Sequence, residues 1–167
     1  MLKWCVIGSG DVVQRLVKDS LNIKNKSKMI YLMSKDIKGA KDYAKKVGVV
    51  NVLKPNSKNI KKICDDNEIN SIYIASPPNS HFFYIKKFYK FKKNIVCEKP
   101  LVITKKELYK LELLTKKTKF NLFTCFYRRY LNRFIQIKKI LDKKLLGKIL
   151  FFEIKYFHNE KNHPTAN

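Results

Sequence analysis

Residues 76–101 read SPPNSHFFYIKKFYKFKKNIVCEKPL. An apolar run, Ser71 to Ala75, enters this stretch and must stop at Ser76-Pro77-Pro78, because proline lacks a donor and fixes φ. A helical segment follows. A second apolar run, Asn94 to Cys97, then delivers Glu98-Lys99-Pro100. Two strand ends carrying polar residues, separated by one helix, are where an open parallel sheet binds ligands. Lys99 is the residue expected to carry chemistry.

The N-terminal end has the same grammar. Lys3 to Ile7 (KWCVI) suits a buried strand, and Gly8-Ser9-Gly10-Asp11 is a turn. Asp11 to Leu21 then repeats apolar residues at helical spacing. Gly8 and Gly10 would let the backbone approach a pyrophosphate, and Asp11 and Val12 open a helix whose free N–H groups would face it. The G-x-G-x-x-G pattern is incomplete, since its third small residue is replaced by Val13. An ordinary tight turn between strand and helix is the competing reading.

Met29 to Met33 is the second strand. It ends in Ser34-Lys35-Asp36 rather than in the acidic residue that commonly holds a ribose. A hydroxyl followed by a cation suits a 2′-phosphate, which leans towards NADP over NAD. Asp36 is either the ribose partner or a helix N-cap.

Further along, Lys38 to Lys46 and Asn59 to Asp66 read as helices, and Val49 to Leu53 as a strand. The helix after Pro78 is expected to turn Phe82, Phe83, Ile85, Phe88 and Tyr89 inward. Thr104 and Glu107 form a capping-box signature ahead of Leu108, Leu111, Leu114 and Thr115. Asn121 to Phe126 is a sixth strand. A basic helix with Phe134, Ile137, Ile140 and Leu141 inward ends at Gly147, and Ile149 to Phe157 reads as a last strand. The repeated β–α order predicts an α/β fold with a doubly wound parallel sheet.

Composition bounds the function. Apolar content of 45% fits a globular fold, and no apolar run approaches the roughly 20 residues needed to span a bilayer. The short apolar N-terminus is read as a strand of a cytoplasmic protein rather than a signal peptide. Cys5, Cys64, Cys97 and Cys125 show no metal-ligand spacing and are expected to be reduced thiols, mostly buried. The net charge of +24 suggests a nucleic-acid-binding module as the alternative function. Against it, only Arg15, Arg128, Arg129 and Arg133 are arginines among 37 basic residues, and the lysines are spread along the chain. They read as solvated helix faces.

The chain resembles the N-terminal NAD(P)-binding Rossmann domain of the glucose–fructose oxidoreductase / inositol dehydrogenase / rhizopine-catabolism (Gfo/Idh/MocA) family. The likeness rests on Gly8-Ser9-Gly10, on Ser76-Pro77-Pro78-Asn79-Ser80-His81, and on Glu98-Lys99-Pro100, in that order. Arg128-Arg129-Tyr130 and Leu146-Gly147-Lys148-Ile149 also look like family positions. The resemblance implies a dinucleotide-binding domain over 1–127 and the start of a substrate domain over 128–167. It implies nicotinamide-dependent oxidation or reduction of a sugar, sugar-nucleotide or polyol hydroxyl. Ser76, Pro77, Asn79, His81, Glu98 and Arg129 would join the cofactor site. Lys99, tuned by neighbouring Glu98, would exchange the hydroxyl proton. His81 is read as a residue holding its loop rather than a catalyst. The family's second domain supplies an Asp and a His that nothing here replaces, since His158 and His163 lie outside any matching motif. On that ground the chain is expected to be truncated and inactive alone, with the Ile149–Phe157 strand as a possible contact between copies.

Overall fold

The computed structural model describes residues 1–155 and 157. A glycine or proline lies within three residues of the end of four strands, and each of the first five strands leads to a helix. β1 spans Leu2–Ile7, β2 Ser27–Met33, β3 Asn51–Leu53, β4 Ser71–Ile74, β5 Asn94–Cys97 and β6 Leu122–Thr124. Between them lie α1 (Lys18–Leu21, entered through a π-helical segment, Val12–Val17), α2 (Ile37–Lys46), α3 (Ser57–Asp65), α4 (His81–Phe88) and α5 (Lys105–Lys117). All five strand pairings are parallel, in the order β3-β2-β1-β4-β5-β6. The expected doubly wound sheet is therefore present. The order reverses between β1 and β4, which opens a crevice at their carboxyl ends.

Alternation along the strands divides the core between the two sheet faces. Cys5, Ile7, Ile72, Ile74, Ile95 and Cys97 pack with Ile60, Ile63, Ile85, Phe88 and Leu111 on the face of α3, α4 and α5. Trp4, Val6, Leu32 and Tyr73 pack with Val13, Leu21, Ala40, Tyr43 and Ala44 on the other. Burial of Phe88, wholly removed from solvent, contributes about 1.5–3 kcal/mol. A bulge between Trp4 and Cys5 sets Met29 opposite Trp4 but Tyr31 opposite Cys5. One extra residue reverses the alternation, so Met29 and Tyr31 serve opposite cores.

Several expectations are corrected. α4 buries His81, Tyr84, Ile85 and Phe88, while Phe83 is exposed. A period of 3.6 puts residues 81, 84, 85 and 88 on one stripe and turns Phe83 away. On α5, Leu111 is buried but Leu108 is exposed. The first helix expected over Asp11 to Leu21 opens as a π-helix. There Val13 stands where close helix–strand packing wants a small residue, and its side chain is fully buried in the core.

The chain forms two compact units, Met1–Phe126 and Tyr127–Asn167. The second contains a 3₁₀ turn (Tyr127–Tyr130) and α6 (Asn132–Asp142). Phe134, Ile137, Ile140 and Leu141, expected inward, are all exposed. The described part of this unit holds no further α-helix or strand to cover them. The strand expected over 149–157 is absent from the described residues, where the backbone is irregular and its apolar side chains are exposed. A strand needs a neighbour for its N–H and C=O groups, and none pairs with it among the described residues. Tyr156, His158 and the tail from Asn159 lie outside the described residues. Among the described residues no helix is long and apolar enough to cross a membrane.

Candidate cofactor site

The carboxyl ends of β1, β2 and β4 meet around a cleft of about 520 Å³. From β1 it is lined by Ile7, Gly8, Ser9 and Gly10. From β2 come Met33, Ser34, Lys35 and Asp36, and from β4 Ala75, Ser76, Pro77, Asn79 and Ser80. Gly8 and Ser76, far apart in sequence, meet here because β1 and β4 are neighbours.

Gly8 has φ +106°, in the left-handed region open to glycine. A Cβ there would lie 2.4 Å from the Ala75 carbonyl oxygen, so only glycine lets the first turn pass the end of β4. Gly10 differs: a Cβ would meet nothing within 4 Å. Its surface is free for a ligand. Beyond it the helix begins, with its first N–H groups lacking intrahelical partners. Gln14 Nε2 donates to the Ser9 carbonyl at 2.6 Å, and Arg15 pairs with Asp11 at 3.2 Å. Val12 is half-buried.

The two serines of the cleft are joined. Ser9 Oγ and Ser34 Oγ lie 2.9 Å apart and tie the glycine turn to the end of β2. Lys35 is exposed beside them. Asp36 lines the cleft, but its Oδ1 accepts the Gly39 N–H at 3.0 Å and caps α2. Of the two roles left open for Asp36, capping is the one the geometry displays.

His81 is fully buried and does not line the cleft. Its Nε2 lies 2.8 Å from the Ser76 carbonyl oxygen and its Nδ1 2.8 Å from that of Pro100. It joins the loop after β4 to the loop after β5, as a residue holding a loop should. Ser76 Oγ and Ser80 Oγ, 2.7 Å apart, tighten the first of these loops.

Glu98 and Lys99 follow β5 and part company. Glu98 is 9% exposed, and its Oε1 accepts the Tyr73 hydroxyl at 2.6 Å. Its Oε2 accepts the backbone N–H of Lys99 at 3.2 Å. No ion pair joins the two side chains among the described residues. Strand alternation explains it. Tyr73 lies opposite Val96, and Glu98, two residues on, shares that face. Lys99 is exposed at the carboxyl edge, one strand beyond the cleft. The Lys99–Pro100 peptide is cis. Burial first, then the hydrogen bond to Glu98, pushes the Tyr73 hydroxyl far above its ordinary value. Burial, followed by the Glu98 charge, raises Cys125 to about 11 and Cys97 to about 12. All four cysteines are free, with Cys5, Cys64 and Cys97 buried and Cys125 half-buried.

Arg129 is exposed in the 3₁₀ turn of the second unit. Three participants were missed from the sequence: Pro55 and Tyr84 line the cleft, and Tyr73 holds Glu98. Pro55 was recoverable, since it follows β3 at the same sheet edge. Tyr73 was signalled only by a hydroxyl inside the apolar run SIYIA.

Residues 2–126 match the model of the oxidoreductase family with an NAD-binding Rossmann fold, GFO_IDH_MocA. The chain belongs to the Gfo/Idh/MocA oxidoreductase family. Oxidoreductase P35 of Formosa agariphila is 28% identical over 153 residues, covering 92% of this chain and 46% of that protein. Myo-inositol 2-dehydrogenase of Thermotoga maritima is 29% identical over 87 residues, 52% of this chain and 26% of that protein. Among solved structures, myo-inositol dehydrogenase of Lactobacillus casei, in complex with NAD(H) and myo-inositol, superposes with a TM-score of 0.78 at 20% identity. It is covered over 43% of its length by 88% of this chain. A mutant of a 3-ketoreductase of Actinomadura kijaniata, in complex with TDP-benzene and NADP, gives 0.74 at 18% identity, with 89% of this chain and 46% of that one covered. This Gfo/Idh/MocA chain thus spans under half the length of these relatives. Its fold and its nicotinamide-dinucleotide class follow from the family.

Proposed function

We propose that this chain is the cofactor-binding part of an oxidoreductase acting on a sugar, sugar-nucleotide or polyol hydroxyl, and that it prefers NADP to NAD. The observation that carries the reading is the cleft at the β1/β4 crevice, bounded by a bare glycine surface and by Ser34-Lys35. These residues fit a dinucleotide. Gly10 leaves room for a diphosphate against the helix start. Ser34 and Lys35 offer a hydroxyl and a cation to a 2′-phosphate, while Asp36 has one carboxylate oxygen engaged in its cap.

Ser76, Pro77 and Asn79 line the cleft past the end of β4, the strand next to β5. His81 and Glu98 act behind them, by holding loops. A nicotinamide dinucleotide held there would supply the hydride acceptor or donor. Lys99 takes up the hydroxyl proton when the alcohol is oxidised and returns it on reduction. The substrate class is inferred from relatives named as inositol dehydrogenases and a ketoreductase. Turnover is expected to require a substrate domain in addition to these residues.

Titration of the chain with NADPH and NADH, followed by nicotinamide fluorescence, tests this reading. The expected result is saturable binding with NADPH tighter. Lys35→Glu should weaken NADPH at least tenfold and leave NADH within threefold. Absence of binding by either cofactor at millimolar concentration overturns the proposal, and equal losses for both overturn the NADP preference.

A further inference from the structure

Lys99 sits on a loop whose backbone is held by buried side chains. On one side, Glu98 Oε2 accepts the Lys99 N–H, and Glu98 Oε1 accepts the hydroxyl of Tyr73. On the other, the carbonyl of the next residue, Pro100, lies 2.8 Å from His81. The Glu98 carboxylate is nearly fully buried. Hydrogen bonds must then compensate its desolvation. Tyr73 supplies the short one, at 2.6 Å, from within β4. Cys125, just past β6, adds a weaker link, with Sγ 3.8 Å from the Tyr73 oxygen. Cys125, Tyr73, Glu98 and the Lys99 backbone thus form one chain of hydrogen bonds across β6, β4 and β5.

We propose that Tyr73 is a positioning residue: through Glu98 it fixes the backbone of Lys99, and so sets where that amine stands relative to the redox ring of the cofactor. The inference rests on the function proposed above. Without the Tyr73 hydroxyl, Glu98 keeps a buried charge with one donor lost. The carboxylate then turns towards water and releases the Lys99 N–H. The first glycine turn follows β1, two strands from the β5 end that carries Glu98 and Lys99, and the Tyr73 ring beside β1 is kept when only its hydroxyl is removed. Loss of Tyr73 is therefore felt at the nicotinamide end of a bound cofactor and not at its adenine end.

The test compares the reduced cofactor that binds tighter with the matching ligand lacking nicotinamide, ADP-ribose or its 2′-phosphate. Binding is measured calorimetrically and by nicotinamide emission. Tyr73→Phe keeps the ring and removes only the hydroxyl. It is expected to weaken the reduced cofactor at least threefold and to shift its emission towards that seen with Lys99→Ala. The ligand lacking nicotinamide should bind within twofold of the unsubstituted chain. Tyr73→Phe combined with Lys99→Ala should be no weaker than Lys99→Ala alone. Should Tyr73→Phe not fold, Glu98→Gln must give the same pattern. Equal weakening of both ligands, or emission unchanged from the unsubstituted chain, overturns the role of Tyr73 while leaving the proposed function standing. An unsubstituted chain that binds neither reduced cofactor overturns both.

Discussion

Gly8 and Gly10 stand two residues apart in one turn and do different things. Gly8 needs its left-handed φ and its missing Cβ for the fold, since the Ala75 carbonyl closes on that position. Strain of this kind costs about 1–3 kcal/mol. Gly8→Ala is expected to lower Tm by several degrees, measured by circular dichroism. Gly10 has open space around it. Gly10→Ala should leave Tm within about a degree and weaken NADPH several-fold in a fluorescence titration, because the added methyl occupies the ligand's side. A large Tm loss at Gly10 would mean that the turn is purely structural. Single residues were partly legible in the sequence. Glycine in a strand–helix turn is a strong local signal, but which of the two serves the ligand depends on what the rest of the chain brings to 4 Å. The same holds for Asp36, whose two sequence readings were separated only by the Gly39 N–H, and for Glu98, whose partner is Tyr73 rather than the Lys99 amine.

Elements were legible where local chemistry defines their ends. The capping box of α5 is present in full: the Thr104 hydroxyl accepts from the Glu107 N–H at 3.1 Å, and the Glu107 side chain accepts from the Thr104 N–H at 3.3 Å. α5 buries only Leu111 fully, so its start leans on this cap more than a deeply packed helix would. Thr104→Ala is expected to cost about 1 kcal/mol, read as a shift in the urea midpoint without a change in slope. No shift in the midpoint would show that packing alone holds the helix. The helix faces were less legible. In α4 the run Phe82-Phe83-Tyr84-Ile85 is apolar throughout, so composition cannot say which stripe turns inward. For α6 and 149–157 the pattern announces a buried face, yet burial needs a partner surface that periodicity does not supply.

For the whole molecule, the buried thiols predict behaviour in alkali. Burial holds Cys64 and Cys125 up to about 11 and Cys97 to about 12, against an ordinary value of 9.0. Between pH 9 and those values the unfolded chain releases protons that the folded chain keeps. Their stabilising contribution is therefore complete below pH 9 and is lost as pH rises through 11. Tyr31, Tyr43, Tyr73 and Tyr84 are raised by burial in the same sense. Lys93 opposes them: burial lowers its amine, which donates to the Asp66 and Ile69 carbonyls, so its cost is relieved as pH climbs towards 10.5. One amine against this many acids leaves a net loss. Tm measured from about pH 8 to 11 should fall steadily, and less steeply in Cys97→Ala. A flat profile would show that the thiols are hydrated.

Short stretches of chain were enough to specify six apolar strands, the glycine or proline stops after β1, β3, β4 and β5, and the order of polar residues just beyond the strands. These features depend on neighbours within a few positions, through turn geometry, capping and the proline ring. Folding alone settled that β1 lies beside β4, that Glu98 is satisfied by Tyr73, and that the apolar stripe of α6 stays uncovered among the described residues. Pairing between distant strands, and the side on which a strand-end residue falls, arise from long-range packing that no local pattern encodes. A slip of one residue in a strand would turn its side chains to the opposite face.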